Sequence, residues 1–305
     1  MSDIIGKRFR FFLISGVVIL IGIISLASFG LKAGIDFSSG SLLTLNFEQE
    51  VTVAEVKQEL GNLGHENAIV QITGEGDIII RTSELTTSEK VQLEDDLEAS
   101  LGAAEELGFE SVDPVIARQT ARTATIAVAI AAIGILLYIT WAFRRMPKPF
   151  RYGACAVVAL VHDTLVAVGI FSIFGGILGW EVNLIFITGI LAVIGYSVNN
   201  TVVVFDRIRE NLLRGSNVSF ETIVNNSLAE TITRSLNTSL TTIIVVLALL
   251  LFVGSTIQNF SAVLLIGIIA GTFSSLFIAP SLLVVWERGE WRRFIQWLPG
   301  ARPKE

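Results

Sequence analysis

Between residues 235 and 286 not one residue is charged. As a single helix rising 1.5 Å per residue, that run would be about 78 Å long. A bilayer's hydrocarbon core is roughly 30 Å thick, so the run must cross an apolar medium and turn back. Gly254-Ser255-Thr256-Ile257-Gln258-Asn259 supplies the turn. Four further runs of span length precede it, at residues 11–31, 123–143, 152–175 and 182–205, the third interrupted by His162-Asp163. The first is longer than the core of a signal peptide and reads as a span. Only 16% of residues are charged and the mean hydropathy is +0.67, whereas soluble domains are near a quarter charged. The fold class predicted is a six-transmembrane α-helical bundle.

Basic clusters at Lys7-Arg8-Arg10, Arg144-Arg145-Lys148-Arg151, Arg207-Arg209-Arg214 and Arg288-Arg292-Arg293 fall at ends that six crossings put on one side. The positive-inside tendency makes that side cytoplasmic. The expected layout is a cytoplasmic N-terminus and first span (1–33), an exported block (34–120), spans two to six (121–286) and a cytoplasmic tail (287–305). The short turn at Trp180-Glu181 then faces outward, with Trp180 at headgroup level. Residues 32–120 hold 18 of the 28 acidic groups and 5 of the 22 basic ones, a net charge of −13. Such a block excludes a nucleic-acid surface, which needs clustered Lys and Arg against phosphate. One cysteine, Cys155, excludes an intrachain disulfide and a multi-thiolate metal site. No metal and no cofactor is expected.

The exported block carries the periodicities of a folded domain. Leu43, Leu45 and Phe47 alternate with polar neighbours over 41–48, as in a strand. Thr52-x-x-Glu55 is a capping box ahead of the helical stripe Val53, Val56, Leu60, Leu63. Strands at 68–73 and 77–82 are joined through Gly74-Glu75-Gly76. Thr86-x-x-Glu89 opens a second helix with Leu93, Leu97 and Leu101, which Gly102 ends. A last strand at 107–112 precedes Pro114. The order is βαββαβ, a ferredoxin-like arrangement, serving either as a folded spacer or as a binding or lever element.

Polar residues inside the spans bear on function. Asp163 lies about eleven residues into span three, near the midplane, where an ionised carboxylate costs about 2.5 to 3.5 kcal/mol and has to face the bundle interior. It is either a tertiary hydrogen bond joining helices or a proton-carrying group. His162 points about 100° away around the helix and need not touch it. In span four, Gly189, Ala192, Gly195 and Ser197 allow close helix approach, and Asn199 and Asn200 are amides in an apolar run. Tyr196, Asn200 and Arg207 fall on one face, and Gly195, Asn199 and Asp206 on the next. The helix exit Asp206-Arg207-Ile208-Arg209-Glu210 reads otherwise as a charge-paired end. Span five opens with a dense run of hydroxyls, Arg234 and Thr238 sharing a face continued by Thr241 and Thr242. Arg234 is close enough to the membrane edge to snorkel. The three spans outline a polar seam of the kind that marks ion or substrate paths.

Gly34-Ile35-Asp36-Phe37-Ser38-Ser39-Gly40 after span one, His162-Asp163, the run from Gly195 through Asn199-Asn200 to Asp206-Arg207-Ile208-Arg209-Glu210-Asn211, and Arg234-Ser235-Leu236-Asn237-Thr238-Ser239 together resemble the SecF protein-export subunits of the SecD/SecF family. The resemblance covers nearly the whole chain. It implies a bacterial inner-membrane protein that pairs with SecD in a pseudo-two-fold bundle of the RND transporter kind. It further implies that the pair uses the proton-motive force to help an unfolded polypeptide cross through SecYEG, with protons and membrane lipid as its other partners and no enzymatic activity. Asp163, His162, Asn199, Asn200, Arg234, Thr238, Asp206 and Arg207 are the candidate residues of the proton path or its coupling. Gly34, Ile35, Asp36, Phe37 and Gly40 form the entry to the exported domain, where a hinge is expected together with Pro114.

Departures from the family pattern are informative. Its first motif usually ends Gly-Gly where this chain has Ser39-Gly40, and Val112-Asp113-Pro114 stands for the usual Val-Gly-Pro. Its span-four motif normally reads Ser-(Val/Ile)-Asn-Asp, with that Asp regarded as the proton carrier opposite the arginine matched by Arg234. Here the position is Asn200, an amide with the carboxyl group's shape and no titrating proton. Asn200 is expected to face Arg234. A non-titrating scaffold and an RND-like exporter of lipids or small molecules are the competing readings.

Overall fold

The structure is a computed structural model that describes residues 3–74, 76–215, 218–252 and 257–291. Gly254, Ser255 and Thr256 of the expected turn, Glu75 of the hairpin, and Arg292 and Arg293 lie outside the described residues. Six helical segments are long and apolar enough to cross a membrane, so the chain is a multi-pass membrane protein. They are α1 (Arg8–Phe29), α5 (Pro114–Ala142), α6 (Phe150–Leu178), α7 (Leu184–Leu213), α8 (Phe220–Phe252), and a composite sixth made of α9 (Gln258–Phe273), a π-turn (Ser274–Ile278) and α10 (Ala279–Arg288). The π-turn has a covalent reason: Pro280 has no N–H to offer the carbonyl four residues back, and the helix widens by one residue there.

Two compact units result, one formed by 1–32, 127–180 and 185–305 and the other by 33–126 and 181–184. The helical unit's core joins Ile139 and Phe143 to Tyr152, Cys155, Phe205, Ile208, Leu228 and Leu283. The Phe143 and Tyr152 rings stack at 5.2 Å, and Phe205 meets both edge-on. Glycine sets the closest helix approaches. Gly22 of α1 and Gly169 of α6 face each other so closely that a Cβ on Gly169 would lie 2.6 Å from the Gly22 Cα.

The second unit contains the short helix α2 (Ile35–Ser38), then β1 (Gly40–Phe47), α3 (Val53–Asn62), β2 (Ile69–Ile72), β3 (Ile78–Thr82), α4 (Thr87–Leu101) and β4 (Ala104–Val112). From β1 onward this is the expected βαββαβ order. The sheet is antiparallel throughout, in the order β2-β3-β1-β4. Leu43 and Leu45 of β1, Ile78 and Ile80 of β3, and Val56, Leu60, Leu93 and Leu97 of the helices form its core. Period two in the strands and period near four in the helices thus meet on one face of the sheet. Both capping boxes are formed: Thr52 Oγ1 accepts from Glu55 N–H and Thr86 Oγ1 from Glu89 N–H, and each glutamate reaches back to its cap. The last strand begins at Ala104, three residues earlier than the sequence pattern indicates, because its glutamates hide the alternation.

Candidate functional site

Two polar clusters sit in the interior of the helical unit. The first centres on Asp163, 1% exposed at the middle of α6. Its Oδ2 accepts hydrogen bonds from Ser197 Oγ of α7 at 2.5 Å and from Ser274 Oγ of the π-turn at 2.8 Å. Its Oδ1 lies 2.9 Å from His162 Nδ1. The side-chain oxygens of Asp163 are therefore engaged from three directions, as burial of a carboxylate demands. Close helix approach makes the reach possible. A Cβ on Gly271 would meet Ser197 Cβ at 2.9 Å, and one on Gly267 would meet Val193 at 2.2 Å, so small residues hold α7 against α9 where Ser197 must arrive.

The second cluster centres on Ser239 of α8. Ser239 Oγ accepts from Asn200 Nδ2 at 3.3 Å, from Tyr196 Oη at 3.1 Å and from Thr272 Oγ1 at 2.7 Å. Asn200 is buried, and the cluster holds no carboxylate. Three helices, α7, α8 and α9, are thereby cross-linked by neutral groups alone.

The predicted residues divide between these clusters and the surface. Tyr196 and Asn200 share a face toward α8, as their spacing requires. Arg207, lower on the same side, pairs with Glu230 at 2.6 Å and Glu210 at 2.5 Å. Asp206 pairs with Arg209 at 2.7 Å, so this helix exit is a charge-paired end. Asn199, Gly195, Arg234 and Thr238 are exposed. Thr238 bonds back to the Arg234 carbonyl, and Thr241 and Thr242 bond to the Thr238 carbonyl. The Arg234 side chain makes no hydrogen bond or ion pair among the described residues, and the structure does not bring it to Asn200, whose amide is taken up by Ser239.

His162 and Asp163, which their angular offset left free to part, are in contact through Nδ1 and Oδ1. Span six also supplies two of the polar partners, Thr272 and Ser274, where the seam was expected from spans three, four and five. The cluster Thr272-Phe273-Ser274-Ser275 within an uncharged run is the signal that points to them.

The entry motif lies in the α/β unit. Gly34 N–H donates to Val182 O at 2.8 Å, and Asp36 Oδ2 accepts from the Leu184 N–H at the start of α7 at 2.8 Å. Arg81 of β3 pairs with Glu181 at 2.7 Å and donates to Ser38 Oγ at 2.5 Å. Ile35 is buried and Phe37 half-buried. Gly40 has φ +116°, and a Cβ there would strike Thr82 O at 2.4 Å, so only glycine fits. The part played by Glu181 and its loop is invisible to periodicity, since it depends on a contact a hundred residues away.

Comparison with known proteins follows this geometry. Residues 92–289 match the family described as protein export membrane protein SecD/SecF, C-terminal, and residues 24–51 match the SecD/SecF GG motif. The chain is 44% identical to protein translocase subunit SecF of Thermobaculum terrenum, covering 97% of each chain, and 42% identical to that of Anaerolinea thermophila, covering 99% of each. It is 35% identical to protein translocase subunit SecDF of Bacillus subtilis, where it covers 95% of itself and 39% of the longer chain. The crystal structure of SecDF from Thermus thermophilus, a translocon-associated membrane protein, superposes with a TM-score of 0.84 at 30% identity over 94% of this chain and 39% of that one. With family motifs at both the entry segment and the helical unit, and similarity running end to end, this chain belongs to the SecF branch of the SecD/SecF protein-export family.

Proposed function

We propose that the protein is an auxiliary subunit of the Sec protein-export machinery that acts with SecD and uses the proton-motive force to promote polypeptide passage through SecYEG. It sits in the bacterial inner membrane with both termini cytoplasmic and the α/β unit exported. The observation that carries the reading is the 44% identity along 97% of the chain to a translocase SecF subunit. A SecDF relative that holds a similar region within one longer chain supports SecD as the neighbour.

The surface chemistry agrees. Exposed Gly195 and Asn199 on α7 and exposed Arg234, Asn237, Thr238 and Thr241 on α8 are poor groups to present to hydrocarbon, and a partner's helices would cover them. The entry motif Gly34-Ile35-Asp36-Phe37-Ser38-Ser39-Gly40 and Pro114 serve as the junctions about which the α/β unit moves. Asn200 favours a second reading, a scaffold subunit that stabilises the complex without titrating.

Rates of translocation in vesicles containing the chain, SecD and SecYEG, with and without an imposed proton gradient, separate the two. The proton-driven reading expects the gradient to accelerate translocation several-fold in the unaltered chain and Asn200→Asp to increase that response. A rate indifferent to the gradient in the unaltered chain, with SecD still copurifying, establishes the scaffold instead.

A further inference from the structure

We propose that the His162–Asp163 pair is a proton-binding site in the middle of the helical unit, and that its occupancy sets how firmly α6 is tied to α7 and to the π-turn of span six. The inference rests on the proton-driven reading above and gives that reading a carrier in a chain whose Asn200 has none. Among the described residues Asp163 is the only carboxylate in the middle third of a candidate span.

In the deprotonated state a neutral imidazole donates Nδ1–H to Oδ1 while Ser197 and Ser274 donate to Oδ2. One proton added to the pair, with the ring changing tautomer, leaves Nε2–H on the imidazole and O–H on the carboxyl donating to Nδ1. A single O–H or N–H bond is gained on loading and lost on release. The two groups share the proton across the Nδ1···Oδ1 contact of 2.9 Å. The carboxyl is its resting place because the imidazole packs on Phe273 and borders a groove of about 360 Å³ in which, among the described residues, Ser15 is the only other polar side chain. An imidazolium there would lack hydration.

Loading has a mechanical result. Hydrogen bonds to an ionised acceptor are roughly twice as strong as neutral ones. Protonation therefore weakens the ties from Ser197 and Ser274 together. Ser274 is the first residue of the π-turn, a single-turn irregularity of the kind found frequently at functional sites. The groups facing the pair are few. From α6 there is His162 itself; from α7, Ser197, with Tyr196 and Asn200 turned to Ser239; from the π-turn, Ser274; from α1, Ser15 at the groove. No lysine or arginine pairs with Asp163 among the described residues.

The test uses the chain with SecD and SecYEG in vesicles, energised in turn by a proton gradient and a sodium gradient. Each variant's translocation rate is divided by its own rate with gradients collapsed. The unaltered chain is expected to respond to protons alone, and Asp163→Asn to bring that ratio to about one. Ser274→Ala and Ser197→Ala are expected to move the pH midpoint of the response upward, since each removes a donor that favours the carboxylate. Infrared difference spectra of the same complex, taken across that pH range, are expected to contain a protonated-carboxyl C=O band that Asp163→Asn abolishes and Ser274→Ala displaces.

An unaltered chain with no gradient response sinks the proton-driven reading as a whole. A proton response that survives Asp163→Asn, or the absence of the Asp163 carboxyl band, overturns this site while leaving that reading in place, whereas a response that follows sodium instead of protons overturns both. If Asp163→Asn does not assemble, the midpoint shift in Ser274→Ala decides, and an unmoved midpoint overturns the site.

Discussion

At the residue scale, Ser39 is the sharpest conflict between chemistry and conformation. Its backbone sits at φ 64°, ψ 172°, a region essentially reserved for glycine that costs another residue about 1 to 3 kcal/mol. The family's usual Gly-Gly at Ser39-Gly40 has its physical reason here: two successive residues take positive φ where the chain turns from α2 into β1. Ser39→Gly is expected to stabilise the α/β unit by about 1 kcal/mol, slightly less than the relieved strain because glycine gains freedom in the unfolded chain. Hydrogen exchange of the β1 amides in the full chain measures it. Slower exchange of the whole strand is the expected result, and no change would show that Ser39 is unstrained.

At the scale of elements, the two capping boxes decide where α3 and α4 begin. Each cap satisfies backbone donors that a helix start otherwise leaves open. Thr86→Ala is expected to cost about 1 kcal/mol, seen as faster exchange in the first turn of α4. The reciprocal glutamates add a pH dependence. The Thr86 backbone N–H, then its hydroxyl, holds Glu89 below its ordinary value of 4.5, and Glu55 is lowered in the same way by Thr52. A carboxylate depressed in the folded state contributes stability that is present above the unfolded value and lost as pH falls through the folded one. Protection of the first turn of α4 should therefore hold above about pH 4.5 and decline below it. Glu89→Gln, which keeps an acceptor but does not titrate, should flatten that decline.

At the scale of the whole molecule, glycines distinguish contacts within the chain from contacts beyond it. Gly267 has no room for a Cβ, since one would meet Val193 Cγ2 at 2.2 Å, whereas a Cβ on Gly195 meets nothing within 4 Å. Gly267→Leu should separate α7 from α9 and destabilise the solubilised chain by several kcal/mol, following the cost of overpacking a filled core. Gly195→Leu should leave the melting temperature of the isolated chain unchanged and reduce its recovery with SecD. Equal melting and equal recovery for both variants would contradict the assignment of this face to a partner.

The sequence by itself determined the number of spans, the acidic block between the first two, and the helix starts at Thr52 and Thr86. Those depend on charge exclusion from hydrocarbon and on hydrogen bonds three residues apart, both local. It also marked Asp163, Asn199, Asn200 and Arg234 as out of place in apolar runs, because an ionic or amide group in a membrane is costly wherever it points. The tertiary structure decided which of them meet. Asp163 is joined by Ser197 and Ser274, Asn200 turns to Ser239, and Arg234 stays on the surface. Serine and threonine on a helix carry no mark of their partner, since their hydroxyls can bond their own backbone as Thr238 does. Only the approach of α7 to α9 over Gly267 and Gly271, and the extra residue that Pro280 forces into the π-turn, bring those hydroxyls to the one carboxylate that needs them.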